Sequence, residues 1–427
     1  MGHKDLGKRN YNPSLAAQGT KSGKSYLDRI RKMDPYERLL YWIKERQAIH
    51  CRQYPKGMDC FLKEHPDAPF SEKGYRAYLT GKPWTNDPIF QNVFFCNVYR
   101  ENDKVTSYLR DNYRQPNAEE GHVFLGTILL RWYNYIPTMQ LLINSKIPHS
   151  FRPFDAKRHR HAKATGSFTD GWALKPYLKL LLAVRHNNGS SKEGQLFGGA
   201  YIIRPIVDGD KGARKVESIG DLMTSMARDK RLYDELCGTI GRPNARLPEN
   251  HREPLDISPR KFAALGSTTD SNEPGTMSYA FARLREFSGM GKFYNYQFIG
   301  DLAYTHVLRD APDWFTWSFC GPGTSRGLVR LKCPSGKATL PNGKRLPRMM
   351  PLQRGWQEQL LELQAQVNKD LGTETKKGKT VPVRSGGEVR KLEPLHMRDL
   401  TNCLCEYDKY ERALFNERSI KRPYAGT

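Results

Sequence analysis

Long hydrophobic runs are missing from this sequence. No stretch of its 427 residues approaches the roughly 18 consecutive apolar residues that a membrane-spanning helix requires. The first residues, Met1 to Leu6, contain neither the apolar core of a secretory signal nor the Ser or Thr of a myristoylation site. We therefore expect a soluble, intracellular protein with no membrane partner, located in the cytoplasm or nucleoid of its host cell, or in the nucleus if that cell is eukaryotic.

Motifs that hold metals or nucleotides are missing as well. The eight cysteines show no paired CxxC spacing, which predicts reduced thiols and no metal site. The stretch from Gln18 to Ser25 ends in Gly-Lys-Ser like a phosphate-binding loop. However, Gln18 stands where that loop requires its first glycine, and no buried strand precedes it. We predict that the protein uses no cofactor.

Acidic residues are too few to balance the basic ones. Lys and Arg number 69 against 45 Asp and Glu, which gives a formal charge of +24. Such an excess favours polyanionic partners, because neutralising phosphates releases condensed counterions. We expect the partner to be nucleic acid, above all DNA. Other anionic surfaces, or solubility alone, are the alternatives.

Two basic segments are candidates for contact with DNA phosphates. Residues 1–25 are polar and basic, which predicts a flexible arm or, alternatively, a frayed terminus. Lys157, Arg158 and Arg160 lie in a compact basic cluster without apolar periodicity. This pattern predicts a loop that contacts phosphates, with a solvated turn as the alternative.

Apolar periodicity predicts a mainly α fold. Aromatic residues make up 11% of the chain and hydrophobic residues 38%, enough for a packed core, and we assign residues 26–427 to one large helical domain. Residues 242–276 predict a long loop, and Asn342-Gly343 predicts a small β-hairpin at residues 337–346. The helical pattern covers residues 27–43, 89–135, 172–184, 217–240, 278–308, 356–371 and 396–415.

Two apolar segments contain polar groups that need partners. Arg100 and Asp103 lie within about one helical turn of each other, which predicts a phosphate-binding arginine held by an acidic neighbour, or else a buried ion pair. Gln297 and Asp301 lie four residues apart, hence on one helical face. There, an amide can read a base edge and a carboxylate can act as general base. A buried structural hydrogen-bond pair is the alternative.

Residues 319–327 form a Gly-rich turn that follows an aromatic segment predicted to be helical. Its Gly-Pro-Gly-Thr sequence resembles the hairpin of helix-hairpin-helix proteins, where glycines let backbone N–H groups approach a DNA phosphate. We therefore predict that Gly321, Gly323 and Thr324 contact DNA. The alternative is a tight turn with no ligand.

Residues 396–410 are the stretch richest in chemically active groups. Asp399, Asn402 and Glu406 fall on one helical face, and Lys409 is available nearby as a pairing partner. We predict that at least one of the three has a catalytic or substrate-binding role. Helix caps and surface ion pairs explain part of the same pattern.

Four motifs together resemble one family. They look like the helical, DNA-glycosylase-like domain of thymine-hypermodification proteins. These comprise the helical domain of 5-hydroxymethyluracil DNA kinases and the alpha-glutamyl/putrescinyl thymine pyrophosphorylases, also called amino acid:DNA transferases. The motifs are Asn-Val-Tyr-Arg-Glu-Asn-Asp-Lys-Val-Thr at 97–106, Tyr-Gln-Phe-Ile-Gly-Asp-Leu at 296–302, Gly-Pro-Gly-Thr-Ser-Arg-Gly at 321–327 and Leu-Cys-Glu-Tyr-Asp-Lys-Tyr at 404–410.

The resemblance implies a helix-hairpin-helix, DNA-glycosylase-like helical fold that acts on modified thymine in DNA. In glycosylases an Asp at a helix start follows the hairpin, and Asp399 takes that place here, after an insertion at residues 328–395. Because no credible nucleotide-binding loop is present, the transferase branch fits better than a complete kinase. An amino acid or polyamine is then the co-substrate, and a 5-hydroxymethyluracil DNA kinase is a possible partner.

The implied reaction replaces the pyrophosphate on a flipped-out 5-(pyrophosphoryloxymethyl)uracil by an amine. Arg100, with Arg326 and Lys409, would help pyrophosphate depart, and Asp301 or Asp399 would deprotonate the amine. Two alternatives stay open. In the first alternative, the chain is a base-excision glycosylase in which Asp399 stabilises the sugar cation. In the second, it is a non-catalytic DNA-binding partner of the kinase.

Overall fold

The computed structural model describes a mainly helical protein, which confirms the predicted fold class. Ser267 and Phe319 form an isolated antiparallel bridge, and the described residues build no β-sheet. None of the described helices is both long and apolar enough to cross a membrane. The described residues are 21–52, 85–150, 196–197, 211–229, 231–238, 267–269, 273–287, 289–333, 355–373, 388–389 and 391–417.

We number the α-helices of the described ranges in chain order. A 3₁₀ turn, Arg100–Asn102, and a π-helical turn, Arg110–Arg114, complete the regular structure. The helices are α1 (Lys21–Lys32), α2 (Pro35–Arg52), α3 (Pro88–Asn92), α4 (Lys104–Leu109), α5 (Val123–Tyr133), α6 (Ile136–Asn144), α7 (Ile147–Ser150), α8 (Lys211–Arg228), α9 (Leu232–Leu236), α10 (Met277–Leu284), α11 (Lys292–Leu302), α12 (Pro322–Arg330), α13 (Trp356–Asp370) and α14 (Met397–Leu414).

The chain divides into two compact units. The terminal unit comprises Met1–Asp103, Cys320–Val381 and Glu388–Thr427. The central unit comprises Lys104–Phe319 and Pro382–Gly387. The sequence-based assignment of residues 26–427 to one domain stays a prediction.

Helix α14 is the centre of the terminal unit, where α2, α3, α12 and α13 pack against it. Its apolar side chains recur at helical spacing, so one face is completely buried. Leu400, Leu404 and Tyr407 on that face are fully inaccessible to solvent. Polar residues of α14 on another face contact residues 94–103, the segment that precedes α4.

Two glycines set the close approach of α12 to α14. A Cβ atom added to Gly323 would lie 2.3 Å from the Cys405 Sγ atom. At Gly327 it would lie 2.2 Å from the carbonyl oxygen of Leu404, a backbone atom that cannot rotate away. Glycine at these two positions is therefore explained by helix packing.

Gly327→Ala is expected to lower the free energy of unfolding by about 3 kcal/mol, because the two helices must move apart to admit the methyl group. Gly291→Ala is the matched control, since a Cβ atom there meets nothing within 4 Å. Urea denaturation of both variants measures the difference. Equal stability of the two would contradict the packing account.

A buried carboxylate links α3 to α2 and α14. Asp87 is fully inaccessible and caps α3 by accepting the Ile89 N–H at 2.7 Å. It also accepts the hydroxyl groups of Tyr41 at 2.8 Å and Tyr410 at 2.6 Å. Burial raises the pKa of Asp87 to about 6 despite these hydrogen bonds.

The raised pKa of Asp87 predicts a pH-dependent stability. Its stabilising effect is fully present below the unfolded pKa of 3.8 and is lost as pH rises through about 6. Asp87→Asn removes this titration. The variant should therefore gain about 2–3 kcal/mol relative to wild type between pH 4 and pH 7.5. Denaturation at both pH values measures the gain, and a difference that does not change with pH would contradict the assignment.

Helix α5 is the centre of the central unit, and α6, α7, α8 and α11 pack around it. All of its residues are buried, and all but Thr127 and Arg131, which lie on one face, are apolar, aromatic or glycine. Aromatic rings join it to α11, with the centroids of Trp132 and Tyr294 4.2 Å apart. Asp313 caps α10 by accepting the N–H groups of Met277 and Ser278.

Several sequence-based boundaries are confirmed. Helix α2 begins at Pro35, α13 covers the predicted 356–371 helix, and α14 is preceded by His396 as its N-cap. The helical pattern over 278–308 corresponds to two helices, α10 and α11, whereas the prediction of a helix in the aromatic segment just before the Gly-rich turn is wrong. Gly289 has a φ of 87°, which separates α10 from α11. The Thr305 hydroxyl then donates to the Leu302 carbonyl and accepts the Val307 N–H, so the chain turns after α11.

Other predictions lie outside the described residues. They include the basic cluster of Lys157, Arg158 and Arg160, the helix at 172–184, the hairpin at 337–346 and most of the loop at 242–276. Residues 1–20 of the predicted arm also lie outside, whereas Lys21 already begins α1.

Candidate functional site

The polar face predicted for residues 399–406 exists and binds one segment of the chain that contains the 3₁₀ turn. Asp399, Asn402 and Glu406 all point from α14 to residues 94–103, which we call the 94–103 segment. Each forms a hydrogen bond with the backbone of that segment. The bonds run from the Arg100 N–H to Asp399 Oδ1 (3.3 Å), from Asn402 Nδ2 to the Asn97 carbonyl (2.9 Å) and from the Cys96 N–H to Glu406 Oε2 (3.1 Å).

These bonds give the face a positioning role. Residues 94–99 lie in no helix or sheet before the 3₁₀ turn Arg100–Asn102, and side chains of α14 supply hydrogen-bond partners for three backbone groups of the segment. Asp399 lies in the first turn of α14, the helix-start position that the glycosylase resemblance implied. Its Oδ2 atom is 3.5 Å from His396 Nδ1. The catalytic roles of Asp399 and Glu406 stay predictions.

A lysine lies where the 94–103 segment begins. Lys409 Nζ is 3.2 Å from Glu406 Oε2 and also donates to the Phe94 carbonyl. The ammonium group lies 4.7 Å from the centroid of the Phe95 ring, a cation–π contact. Phe94 itself keeps 43% of its surface exposed. A cation and an exposed aromatic ring are thus adjacent.

Asp103 is the last residue of the segment, and only one of its two carboxylate oxygens accepts a hydrogen bond from the described residues. Its Oδ1 atom accepts the Asn97 N–H at 2.9 Å, and its Oδ2 atom has no hydrogen-bond partner among the described residues. Burial raises the pKa of Asp103 to about 6, and the charge of Glu406 adds to that rise. The Asn97 hydrogen bond and the charges of Arg46 and Arg100 act in the opposite direction. This carboxyl group therefore changes charge close to neutral pH.

Two arginines complete the site. Arg100 is buried in the 3₁₀ turn, and its role in phosphate binding stays a prediction. Arg46 of α2 reaches the segment and donates from Nε to the Cys96 carbonyl at 3.0 Å. Sequence reasoning missed Arg46, because nothing in the helical pattern of α2 distinguishes it from other charged residues.

Asp301, in contrast, belongs to the central unit, and arginines bind both of its carboxylate oxygens. Its side chain is fully inaccessible, and Arg131 binds both carboxylate oxygens, at 2.6 and 2.8 Å. Arg114 adds a contact at 3.4 Å. Gln297 lies one turn earlier in α11 and is partly buried. Asp301 is thus buried and paired with arginines outside α11, and the role of Asp301 as a base stays a prediction.

The Gly-rich turn begins α12, with Gly321 as the N-cap. Thr324 is buried and donates its hydroxyl to the Thr401 carbonyl at 2.9 Å, so its side chain serves helix packing, as does Gly323. Arg326 is partly exposed and binds Asp408 at 2.8 Å. DNA contact by this turn stays a prediction.

Comparison with known proteins gives one match. A family model described as the helical domain of 5-hmdU DNA kinase, where 5-hmdU is 5-hydroxymethyldeoxyuridine, matches residues 74–419. The match includes the 94–103 segment, α12 and the whole of α14. No curated protein and no solved structure matches the chain.

Proposed function

Since the chain belongs to the family of the 5-hmdU DNA kinase helical domain, which ties it to the modification of thymine in DNA, we propose that it acts on a flipped-out modified thymine. The proposed reaction replaces the pyrophosphate of a 5-(pyrophosphoryloxymethyl)uracil in DNA by an amine or an amino acid. The observation that carries this proposal is the arrangement around the 94–103 segment. There, the charges of Arg46 and Arg100 act on the ionisable carboxyl group of Asp103, and Lys409 pairs with Glu406 on the neighbouring face of α14.

The proposed reaction removes a proton from an ammonium group and releases a negatively charged pyrophosphate. The carboxyl group of this site suits the first step, and its cations suit the second. Asp103 accepts a proton from the incoming ammonium group through its open Oδ2 atom, since a base with a pKa near 6 is ionised at neutral pH. The freed amine nitrogen attacks the 5-methylene carbon, the C–O bond breaks, and pyrophosphate departs with the electron pair. Arg100 and Lys409 stabilise its negative charge. The second proton of the nitrogen passes to solvent.

We assign the deprotonation of the amine to Asp103, and not to Asp301 or Asp399, for a geometric reason. Both oxygens of Asp301 are bound by arginines, and Asp399 is engaged by the Arg100 N–H. Asp301 and Asp399 are thus engaged with other groups of the chain, whereas Oδ2 of Asp103 accepts no hydrogen bond from the described residues. The exposed ring of Phe94 offers a surface on which a base can stack. The formal charge of +24 favours the DNA backbone as ligand.

A second candidate function is a non-catalytic module that binds 5-hmdU DNA and presents the base to a kinase. The observation that favours it is the use of Asp399, Asn402 and Glu406 as backbone partners, which leaves few groups for chemistry. The two candidates differ in whether the DNA itself changes.

Mass spectrometry of nucleosides distinguishes them. The full chain is incubated with duplex DNA that carries one 5-(pyrophosphoryloxymethyl)uracil, together with amino acids and polyamines. An adducted thymidine with released pyrophosphate is the expected result, and its mass names the amine. Unchanged nucleosides with tight binding to 5-hmdU DNA would favour the kinase partner, and an abasic site would favour a glycosylase. Either outcome would overturn the transferase proposal.

A further inference from the structure

The side-chain amide of Asn97 is paired at its nitrogen and unpaired at its oxygen. Asn97 lies in the 94–103 segment, and its side chain is buried. The Nδ2 atom donates to the Asn102 carbonyl at 2.7 Å and to Asp103 Oδ1 at 3.4 Å. The Oδ1 atom is buried and accepts no hydrogen bond from the described residues. Because buried acceptors in folded proteins nearly always have a partner, this oxygen indicates a donor from outside the chain.

The surroundings of Asn97 fix the orientation of its amide. Both groups that face Nδ2 are acceptors, namely a backbone carbonyl and a carboxylate oxygen. Exchanging the amide nitrogen and oxygen would place an oxygen against two oxygens and lose both hydrogen bonds. The backbone of Asn97 is held as well, because its N–H donates to Asp103 Oδ1 and its carbonyl accepts from Asn402 Nδ2. The side chain therefore presents an acceptor.

A second such acceptor belongs to the carboxylate that the Asn97 amide contacts. Asp103 Oδ2 accepts no hydrogen bond from the described residues, and Asp103 is only partly buried. Two neighbouring acceptors, one neutral and one ionisable, match a cation with several N–H donors. An ammonium group has three donors and no acceptor. A phosphate oxyanion would be repelled by both oxygens, and the single N–H of a uracil ring is flanked by two carbonyl oxygens.

We propose that Asn97 binds the ammonium group of the co-substrate and holds its nitrogen beside the carboxylate of Asp103. Asn97 Oδ1 accepts one N–H, and Asp103 Oδ2 accepts another. An amide oxygen accepts an N–H from an ammonium ion and from a neutral amine alike, so Asn97 retains the nitrogen after Asp103 has taken a proton. The inference rests on the proposed function, which identifies this ammonium group as the incoming nucleophile. The co-substrate must then carry at least two N–H groups, as a primary amine does.

Binding of small ammonium ions tests this site without requiring catalysis. Calorimetry measures their affinity for the full chain saturated with duplex DNA that carries 5-hydroxymethyluracil, a base without the pyrophosphate leaving group. The probes form two pairs of equal charge, diaminobutane with its fully N-methylated counterpart and glycine with trimethylglycine. The variant is Asn97→Ala. Asn92→Ala on α3 is the matched control, because the Asn92 amide also donates to a backbone carbonyl, that of Pro88 at 2.8 Å.

The wild-type chain should bind the N–H-bearing member of at least one pair more tightly than the methylated member. Asn97→Ala should weaken that binding about tenfold, as expected for one lost hydrogen bond to a charged group, and leave the methylated member unchanged. Asn92→Ala should bind like wild type. Equal wild-type affinities within both pairs, or an equal loss for both members of a pair in Asn97→Ala, would overturn the site.

Kinetics separate this inference from the proposed function. In the pyrophosphate-release assay, we expect Asn97→Ala to raise the KM for the amine about tenfold, because the lost hydrogen bond contributes to amine binding. A wild-type chain that binds the amine through Asn97 but forms no adduct would support the site and overturn the transferase. An adduct formed by Asn97→Ala with an unchanged KM would support the transferase and overturn the site.

Discussion

Asp301→Ala is expected to destabilise the protein by about 3–5 kcal/mol, the range for removing one partner of a buried ion pair. The variant leaves Arg131 and Arg114, which are 2% and 1% exposed, without the carboxylate that both contact. Neither guanidinium group can reach water without opening the packing around α5 and α11. The lost stability therefore comes from uncompensated buried charge and not from the small cavity.

Urea denaturation of Asp301→Ala measures this loss. Asp310→Ala is the matched control, because its side chain is 85% exposed in the same unit. We expect the control to stay within about 0.5 kcal/mol of wild type, as surface substitutions do. If Asp301→Ala instead kept wild-type stability and lost only activity, Asp301 would be a catalytic base, the role first suggested by its sequence.

Asp103→Asn is expected to lower the rate of pyrophosphate release by about 10²–10⁴-fold, the usual contribution of a general base. The amide keeps an oxygen for the Asn97 N–H but cannot accept a proton from the amine. The wild-type rate should rise with pH and level off above about 6, because the base must be deprotonated and the pKa of Asp103 is about 6. The residual rate of the variant should lack this dependence.

Single-turnover assays between pH 5 and pH 8 check both expectations. Asp28→Asn is the matched control, since its side chain is 61% exposed on α1 of the same unit. Thermal unfolding of both variants confirms that the fold is intact. A full rate in Asp103→Asn, or a wild-type profile that is flat through pH 6, would remove Asp103 from the reaction.

Local patterns in the sequence predict much of the helical framework. Pro35 begins α2 as expected, and the structure adds a reciprocal cap, in which Asp34 accepts the Glu37 N–H and Glu37 accepts the Asp34 N–H. The spacing of three and four residues also predicts that Asp399, Asn402 and Glu406 share a face. Such features depend on neighbours within two turns, which a sequence displays directly.

The partners of those side chains are not visible in the sequence. Glu406 binds the N–H of Cys96, 310 residues away, and a backbone group leaves no mark in the side-chain pattern. Arg131 lies 170 residues from Asp301, so the sequence indicates only that a buried carboxylate needs some cation. The turn at Thr305 could not be predicted for a similar reason. In the sequence, a threonine whose hydroxyl competes with helical hydrogen bonds is indistinguishable from a surface threonine.

We propose that a modified base in DNA reacts at the 94–103 segment. Photochemical crosslinking tests it most directly, with duplex DNA that carries 5-iodouracil at the position of the modified thymine. Peptide mapping locates the crosslinked residue in the full chain. We expect crosslinks within residues 94–103 or on α14 between Asp399 and Lys409, with the exposed ring of Phe94 as the first candidate. Crosslinks confined to the central unit, such as those on α11 around Gln297, would contradict it.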